Sequence, residues 1–156
     1  QDKPGGFLLY LGWIGGYVTA VNQYRSDTYD LTSWESMGLL AAVLQGYCRE
    51  HQQTSFFNAT QKLVEALNRD SLKTFRPGID VYNRGVTLTL TQPLLSRVQH
   101  RLAELGHYQG DTDGEFGDAA KAAMSAYQKK HGLPPTGLPD QLTLFQMFPR
   151  QTPSAD

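Results

Sequence analysis

The chain has 156 residues, of which 40% are hydrophobic and 19% are charged, a composition typical of one or two folded domains. Its 14 basic and 15 acidic residues nearly balance and form no basic run, which argues against a nucleic-acid partner. No window reaches the roughly 18 consecutive apolar residues of a membrane helix, so we expect no transmembrane segment.

The first predicted element is a helix from Phe7 to Tyr24, with apolar residues at helical spacing at positions 7, 8, 11, 14, 18 and 21. Three glycines in it each lower helix propensity by about 1 kcal/mol, so we expect Gly12, Gly15 and Gly16 to allow close contact with a neighbouring helix. An aromatic stripe runs beside the apolar positions. Such a stripe is more often core than a sugar-stacking platform, and any exposed part of it is a candidate surface for a protein partner, formed by Tyr10, Trp13, Tyr17 and Tyr24.

Two more helices are predicted in this region. Thr32 and Glu35 have the spacing of a capping box at the start of the second helix. Its expected inner face is Trp34, Met37, Ala41, Leu44, Tyr47 and Cys48. The third runs from about residue 55 to 67, with Phe56, Ala59, Leu63, Val64 and Leu67 inward. Because no such helix is stable alone, we expect them to pack into one helical domain over residues 1–68.

One set of residues in this N-terminal region forms a recognisable pattern: LGWIGGY at 11–17, Asn22, Leu44, Tyr47, Cys48, His51, Phe57, Ala59, Leu63 and Val64. In these residues the region resembles a proteobacterial periplasmic family with the HdeA-like fold, which includes type VI secretion immunity proteins. The family commonly joins two helices by a disulfide, and Cys48 matches one partner. The chain has one cysteine, so the stabilisation of about 2–4 kcal/mol from such a bond is missing, which argues against acid-chaperone behaviour.

Residues 69–85 are predicted to be an interdomain linker. Arg76, Pro77 and Gly78 are turn-forming residues, and the helical period is lost there. Val86, Leu88 and Leu90 alternate with threonines, which predicts a short strand or extended segment at 86–90.

The C-terminal region predicts three short helices. Pro93 suits a first helical turn after a cap at Thr91 or Gln92, and Gly106 is placed to end that helix in a left-handed conformation. Asp118 is the expected cap of the second helix, and Asp140 begins the third. The predicted inward residues are Leu94, Leu95, Val98, Leu102, Leu105, Ala120, Ala123, Met124, Tyr127, Leu144, Met147 and Phe148. We expect a domain over residues 86–149 and a frayed tail over 150–156, so the fold class is mainly α with two small helical domains.

The order and spacing of one set of residues in this region are characteristic: Val98, Gln99, Leu102, Leu105, Gly106, Tyr108, Gly110, Asp113, Gly114, Phe116, Gly117, Ala123, Tyr127, Gln128, Leu133, Thr136, Gly137 and Leu138. In these residues the region resembles the type 1 peptidoglycan-binding domain, a three-helix module. Ala120 stands where the family usually has threonine. The resemblance implies a shallow glycan-binding groove beside the turns at 106–117. Its candidate residues are His107, Tyr108, Gln109 and Asp113, flanked by Arg97, Arg101 and Gln128.

Motifs for catalysis or metal binding are not apparent in the sequence. His51, His100, His107 and His131 have no recognised ligand spacing. Asp111, Asp113 and Glu115 imitate part of a calcium loop, but Ala122 occupies the twelfth position, where an EF-hand needs glutamate. Cys48 lies near His51 on an apolar stripe, which favours an inert buried thiol over a nucleophile. We therefore expect no enzymatic activity, no metal and no cofactor.

These observations predict a non-catalytic envelope protein that binds peptidoglycan through its C-terminal domain and a partner through its N-terminal domain. Two alternatives remain open at this point. One is an immunity or inhibitor protein that binds a wall-active enzyme or effector, and the other is a periplasmic chaperone. The chain begins at Gln1 without a secretory signal, and we expect a periplasmic location with an export signal removed before that residue.

Overall fold

The computed structural model describes residues 4–148, so the predicted tail at 150–156 and the start at Gln1 lie outside the described residues. Within them the chain forms six helices and one two-stranded sheet, which confirms the predicted mainly α class. It divides into two compact units, one up to Phe75 and one from Arg76 onward. None of the helices in residues 4–148 is both long and apolar enough to cross a membrane.

The first unit contains α1 (Pro4–Tyr24), α2 (Met37–Glu50) and α3 (Phe56–Asn68). Its core is built from Ile14, Val18, Leu31, Leu40, Ala41, Leu44, Tyr47, Ala59, Leu63, Val64 and Leu67. The connection after α1 is tied down by Asn22, whose side-chain oxygen accepts from the Leu31 backbone N–H at 2.9 Å. A β-bridge between Asp30 and Leu72 joins this connection to the segment that follows α3.

The predicted inner face of α1 is correct only in its second half. Ile14 and Val18 are buried, whereas Phe7 and Leu8 are 55% and 67% exposed. The prediction of close helix contacts at the glycines is also wrong for two of them. A Cβ atom added at Gly12 or Gly16 would meet nothing within 4 Å, and one at Gly15 would meet only the Met37 sulfur at 3.8 Å.

The capping box at Thr32 and Glu35 is not formed. Helix α2 begins four residues later than that pattern implies, with Ser36 as N-cap and its hydroxyl accepting from the Leu39 N–H at 3.2 Å. Trp34 therefore precedes the helix and is half-buried instead of lying on its inner face. Because serine is as good a cap as threonine, the local sequence contained two competing start signals.

The second unit begins with a β-hairpin, where the sequence predicted a linker as far as residue 85. Strand β1 (Gly78–Asn83) pairs antiparallel with β2 (Val86–Thr91), and Arg84 and Gly85 form the turn, both with positive φ. The helices α4 (Gln92–Glu104), α5 (Asp118–Lys130) and α6 (Gln141–Met147) follow. The side chain of Asn83 donates to the Thr136 carbonyl at 2.7 Å, which attaches the hairpin to the loop before α6.

The N-caps of two of the three helices in this unit are the residues predicted from the sequence. Thr91 is the N-cap of α4, and Asp140 caps α6 by accepting from the Thr143 N–H at 2.9 Å. For α5 the N-cap is Gly117, and Asp118 lies in the first turn instead. A carboxylate in the first turn still interacts favourably with the helix dipole.

Candidate functional site

The loop between α4 and α5, residues 105–117, carries four of the residues predicted to bind glycan. Gly106 ends α4 with φ of 75°, as predicted, and the His107 N–H donates to the Leu102 carbonyl at 2.8 Å. These bonds satisfy carbonyls that a helix C-terminus leaves free. We call residues 105–117 the α4–α5 loop.

One polar face of α4 holds this loop in place. The amide of Gln92 donates to the Asp113 carbonyl at 2.8 Å, and the Ser96 hydroxyl donates to the Thr112 carbonyl. His100 Nε2 lies 3.0 Å from the Thr112 hydroxyl. Positions 92, 96, 99 and 100 share one face of a helix, so the loop is fixed by a rigid element.

Gln99 makes the central contact of that face. It is fully buried; its Oε1 accepts from the Gly114 N–H at 2.7 Å and its Nε2 donates to the Glu115 carbonyl at 3.0 Å. Gly114 has φ of 88°, and a Cβ there would lie 2.7 Å from the Gln92 carbonyl oxygen. The close approach of the loop to α4 therefore requires glycine at this position.

Tyr108 covers a second glycine of the loop. Its hydroxyl donates to the Asp111 carbonyl at 3.1 Å, and a Cβ at Gly110 would lie 2.5 Å from that hydroxyl oxygen. The ring is half-buried, so part of it remains accessible to a ligand. Tyr108 consequently supports the loop and presents aromatic surface at the same time.

Gln109 and Asp113 are exposed on the same loop. Asp113 Oδ1 accepts from the Glu115 N–H at 2.9 Å, which fixes the direction of the carboxylate. The Glu115 N–H uses one acceptor position of the Asp113 carboxylate. The remaining positions can accept hydrogen bonds from a ligand.

His107 turns toward α5 instead of joining Tyr108. Its ring lies 6.0 Å from the Tyr127 ring in an edge-on arrangement, and its Nε2 is buried without a hydrogen-bond partner in the described residues. Burial, with Lys130 and His131 nearby, lowers the pKa of His107 below its ordinary value of 6.5. Burial raises the pKa of Tyr127, with Arg101 opposing that shift.

The two predicted flanking arginines lie on another face of α4. Arg97 holds its guanidinium 4.3 Å from the centre of the Phe148 ring, and Arg101 pairs with Glu104 at 2.9 Å. Positions 97 and 101 are rotated by roughly 135° on the helix from the face that holds the loop. The predicted residues are therefore divided between two sides: the loop with Tyr108, Gln109 and Asp113, and the side of α4 and α5 with Arg101 and His107.

Gln128 is a correction to the predicted site, because its side chain is fully buried. Its Oε1 accepts from the Gly137 N–H at 2.8 Å, and its Nε2 lies 2.9 Å from the Thr136 hydroxyl, the Leu138 carbonyl and the Thr143 hydroxyl. An amide nitrogen has two hydrogens, so it serves two of these oxygens at once. Gln128 fixes the loop between α5 and α6 and cannot also contact a ligand.

In the first unit, three of the four aromatic residues predicted as a partner surface come together. The Trp13 ring stacks on Tyr17 at 5.3 Å, and the Tyr10 and Trp13 rings lie 4.9 and 5.2 Å from Phe56. Tyr24 is 80% exposed at the far end of α1, about 21 Å along the helix from Tyr10. Phe57 was not among the residues predicted for this surface. It is exposed, and its ring lies edge-on to Trp13 and Tyr17. We call Tyr10, Trp13, Tyr17, Phe56 and Phe57 the aromatic cluster.

The burial of Gln99 and Gln128, and their hydrogen bonds to loop backbone groups, were not predicted from the sequence. Gln99 follows Val98 within an otherwise apolar stripe of α4, and Gln128 follows Tyr127 in α5 in the same way. A glutamine on a core face must have hydrogen-bond partners. This pattern therefore indicates that each glutamine binds the backbone of a neighbouring loop.

Comparison with known proteins assigns the region just described. Residues 91–147 match the family described as "Putative peptidoglycan binding domain". The localization factor PodJL of two Caulobacter vibrioides strains is 48% identical over 91 residues, which are 56% of this chain and 9% of that protein. The "Putative OxPP cycle protein OpcA" of Nostoc punctiforme is 42% identical over 67 residues, 43% of this chain and 14% of that protein.

The chain thus spans a seventh or less of the length of these relatives, and no solved structure matches it. The match covers α4, α5, α6 and both buried glutamines. The segment that matches the peptidoglycan-binding family, residues 91–147, is preceded in this chain by a β-hairpin and a three-helix unit.

Proposed function

We propose that this protein is a non-catalytic component of the bacterial cell envelope that binds peptidoglycan through its second unit and a protein partner through its first. The observation that carries the first half is the family match over residues 91–147, which includes the complete α4–α5 loop. The name of the PodJL relative, a localization factor, is consistent with a binding role without catalysis.

The wall-binding surface in this proposal is the outer side of the α4–α5 loop. Peptidoglycan offers flat sugar faces, acetamide groups and peptide carboxylates. The half-buried ring of Tyr108 supplies a flat apolar surface, and the exposed Gln109 and Asp113 supply amide and carboxylate partners. Because α4 already fixes the backbone of the loop, little conformational entropy is lost on binding.

Peptide carboxylates would be met on the neighbouring side by Arg101 and His107. Arg101 is half-buried and shares its charge with Glu104, so its attraction for a carboxylate is reduced. His107 is neutral near pH 7 since its pKa is lowered. We therefore assign Arg101 and His107 a smaller contribution to peptidoglycan binding than the loop. Arg97 stacks on Phe148, and we assign it the smallest contribution.

For the first unit we propose a protein partner that covers the aromatic cluster. Trp13 and Phe57 are 41% and 47% exposed and in contact with each other, and exposed aromatic clusters of this kind are enriched at protein interfaces. Tyr24 would take part only if the partner extends along α1. A relationship of this unit to the HdeA-like fold is part of the same proposal and is supported by its three-helix arrangement and by the residues at 11–17.

An immunity or inhibitor protein that binds a wall-active enzyme is the second candidate. The exposed Phe7, Leu8 and Leu9 beside the aromatic cluster favour it, because they provide a larger apolar surface than wall anchoring requires. The chaperone alternative has less support, since Cys48 is free and no disulfide tethers the helices. Either binding role fits the proposed location in the periplasm.

The test is retention of the full chain on purified peptidoglycan sacculi. We expect wild type to sediment with sacculi, Gln109→Ala and Tyr108→Ala to lose most retention, and Tyr108→Phe to keep it. The matched control is Tyr82→Ala, which removes an exposed tyrosine of the same unit on the hairpin. Gln109 is exposed, so its variant separates loss of binding from loss of fold. Absence of retention for folded wild type would refute the proposal.

A further inference from the structure

The first unit contains an open cavity of about 680 Å³ that is lined by residues of all three of its helices. Its apolar lining comes from Phe7, Tyr10 and Ile14 of α1, Ala41 and Leu44 of α2, and Phe56 of α3. A volume of this size lies in the range of roughly 300–1,000 Å³ that is typical of small-molecule sites. The wall-binding function proposed above makes no use of it.

The cavity has a buried floor and an exposed rim. Ile14, Ala41 and Leu44 form the floor and are each less than 9% exposed, so the depression reaches the core of the unit. Gln45 is exposed and Thr54 half-buried, and these two lining residues place amide and hydroxyl groups at the opening. Among residues 4–148, which the structure describes, no Asp, Glu, Lys, Arg or His belongs to the lining.

This distribution selects the chemistry of an occupant. A ligand that fills the floor must be apolar, because a polar group there would lose its water without gaining a partner. Its polar end would meet only Gln45, Thr54 and the Tyr10 hydroxyl, which are neutral donors and acceptors. A charged end would find no opposite charge in the lining.

The lining is also elongated, which suits an extended hydrocarbon chain. On α1 it extends from Gly6 to Ile14, a separation of eight residue steps or about 12 Å along the helix axis. Tyr10 and Phe56 of the aromatic cluster line the cavity, whereas its members Trp13 and Phe57 are exposed and do not. A flat protein partner is suited to that outer surface, and a slender molecule is suited to the cavity.

We propose that the cavity binds the acyl chain of a neutral amphiphile, such as a monoacylglycerol, with the chain against Leu44 and the hydroxylated head at Gln45 and Thr54. This site is independent of peptidoglycan binding by the second unit. It gives the first unit a lipid ligand in addition to any protein partner.

Cys48 makes the proposal testable, since it is the chain's single cysteine and lines the cavity. The experiment measures the rate of Cys48 alkylation by N-ethylmaleimide in the full chain, with monolauroylglycerol added below its aggregation concentration. We expect saturable protection, with the rate falling at least about tenfold. Laurate and lauryl trimethylammonium should need at least about tenfold higher concentrations, corresponding to about 1.4 kcal/mol in binding free energy.

Three variants and a size measurement decide the outcome. Ala41→Leu fills the floor and should abolish protection, whereas Leu9→Ser changes a residue that is 76% exposed and outside the lining, and should keep it. Gln45→Lys adds a cation at the exposed rim and should make laurate bind at least as well as the glycerol ester. If Ala41→Leu does not fold, Gln45→Lys still tests the site.

The proposal is overturned if monolauroylglycerol does not protect Cys48 from alkylation, or if the three amphiphiles protect it with equal affinity. It is also overturned if Gln45→Lys still prefers the glycerol ester to laurate. It is also overturned if sedimentation shows that protection follows formation of a dimer, because the occupant would then be a second copy of the chain.

Discussion

The buried side chain of Gln99 accepts a hydrogen bond from the Gly114 N–H at 2.7 Å, and the same relationship recurs between Gln128 and the Gly137 N–H at 2.8 Å. Both glutamines are fully buried on a helix, and both glycines have positive φ in the loop that follows it. The two loops are thus held by equivalent clamps. This is the reason that a unit with three short helices presents a loop of defined shape.

Gly114→Ala should destabilise the second unit more than Gly106→Ala does. Both glycines have positive φ, so both variants carry the strain of a left-handed alanine, about 1–2 kcal/mol. Only at Gly114 would the new Cβ also lie 2.6–2.7 Å from Gln92 atoms, whereas Gly106 has open space. The measurement is thermal unfolding followed by amide NMR signals of the second unit. Equal effects of the two variants would mean that Gln92 moves aside without loss.

Gln128→Leu should lower the free energy of unfolding of the second unit by about 1–3 kcal/mol, because it leaves the Gly137 N–H and the Leu138 carbonyl without their partner. Gln146→Leu, at an exposed position of α6, is the control and should change stability little. At a temperature where it remains folded, the Gln128 variant should bind sacculi like wild type. Loss of binding by the folded variant would instead restore Gln128 as a ligand contact.

His107 should titrate with a pKa below 6.5, because burial of its ring and the nearby Lys130 and His131 disfavour the imidazolium. The unfolded chain then binds more protons than the folded one just below pH 6.5, so the stability of the second unit falls on acidification through that range. Imidazole NMR titration of wild type provides the measurement, and His107→Gln should reduce the pH dependence. A His107 pKa at or above 6.5 would contradict this expectation.

Asp27 should remain ionised in the folded protein down to strongly acidic pH. Arg25 contacts both of its carboxylate oxygens, at 3.0 and 3.2 Å, and Asn68 donates to it at 3.3 Å. These hydrogen bonds lower the pKa of Asp27 from 3.8 to about 2. Its stabilising effect is therefore present above pH 3.8 and is lost as the pH falls toward 2.

Carboxyl NMR titration of wild type, with Asp27→Asn to identify the signal, measures this directly. An Asp27 pKa near its ordinary value would show that Arg25 is not paired in solution. The result also bears on the chaperone alternative, because a link between the α1–α2 connection and Asn68 that survives to about pH 2 opposes acid-triggered opening of the first unit.

The local sequence was sufficient for the helices and most of their ends. Pro93, Gly106 and Asp140 act on their own backbone or on residues within one turn, so their roles can be recognised without knowledge of the fold. The resemblance of residues 94–148 to a wall-binding domain was equally a property of order and spacing, and the family match confirms it.

Features that depend on residues distant in the chain were not determined in this way. The sequence predicts a linker where strand β1 forms, because the side-chain pattern of β1 alone is weak and its pairing with β2 appears only in the folded chain. Phe7 and Leu8 continue the apolar spacing of α1 and are nevertheless exposed, because burial depends on contacts with other segments. Gln128 was predicted as a ligand contact and is a buried clamp, since only the folded chain brings Gly137, Leu138 and Thr143 around it.

The helical class, the resemblance of the second unit to the peptidoglycan-binding family and the position of the loop that carries Tyr108 could all be predicted from the sequence. Contacts between segments determine instead which polar side chains face the interior, how the predicted site residues divide between two sides of α4, and that the first unit contains an apolar cavity. Helix propensity and capping are local, whereas burial and hydrogen-bond partners depend on segments that meet only in the folded chain.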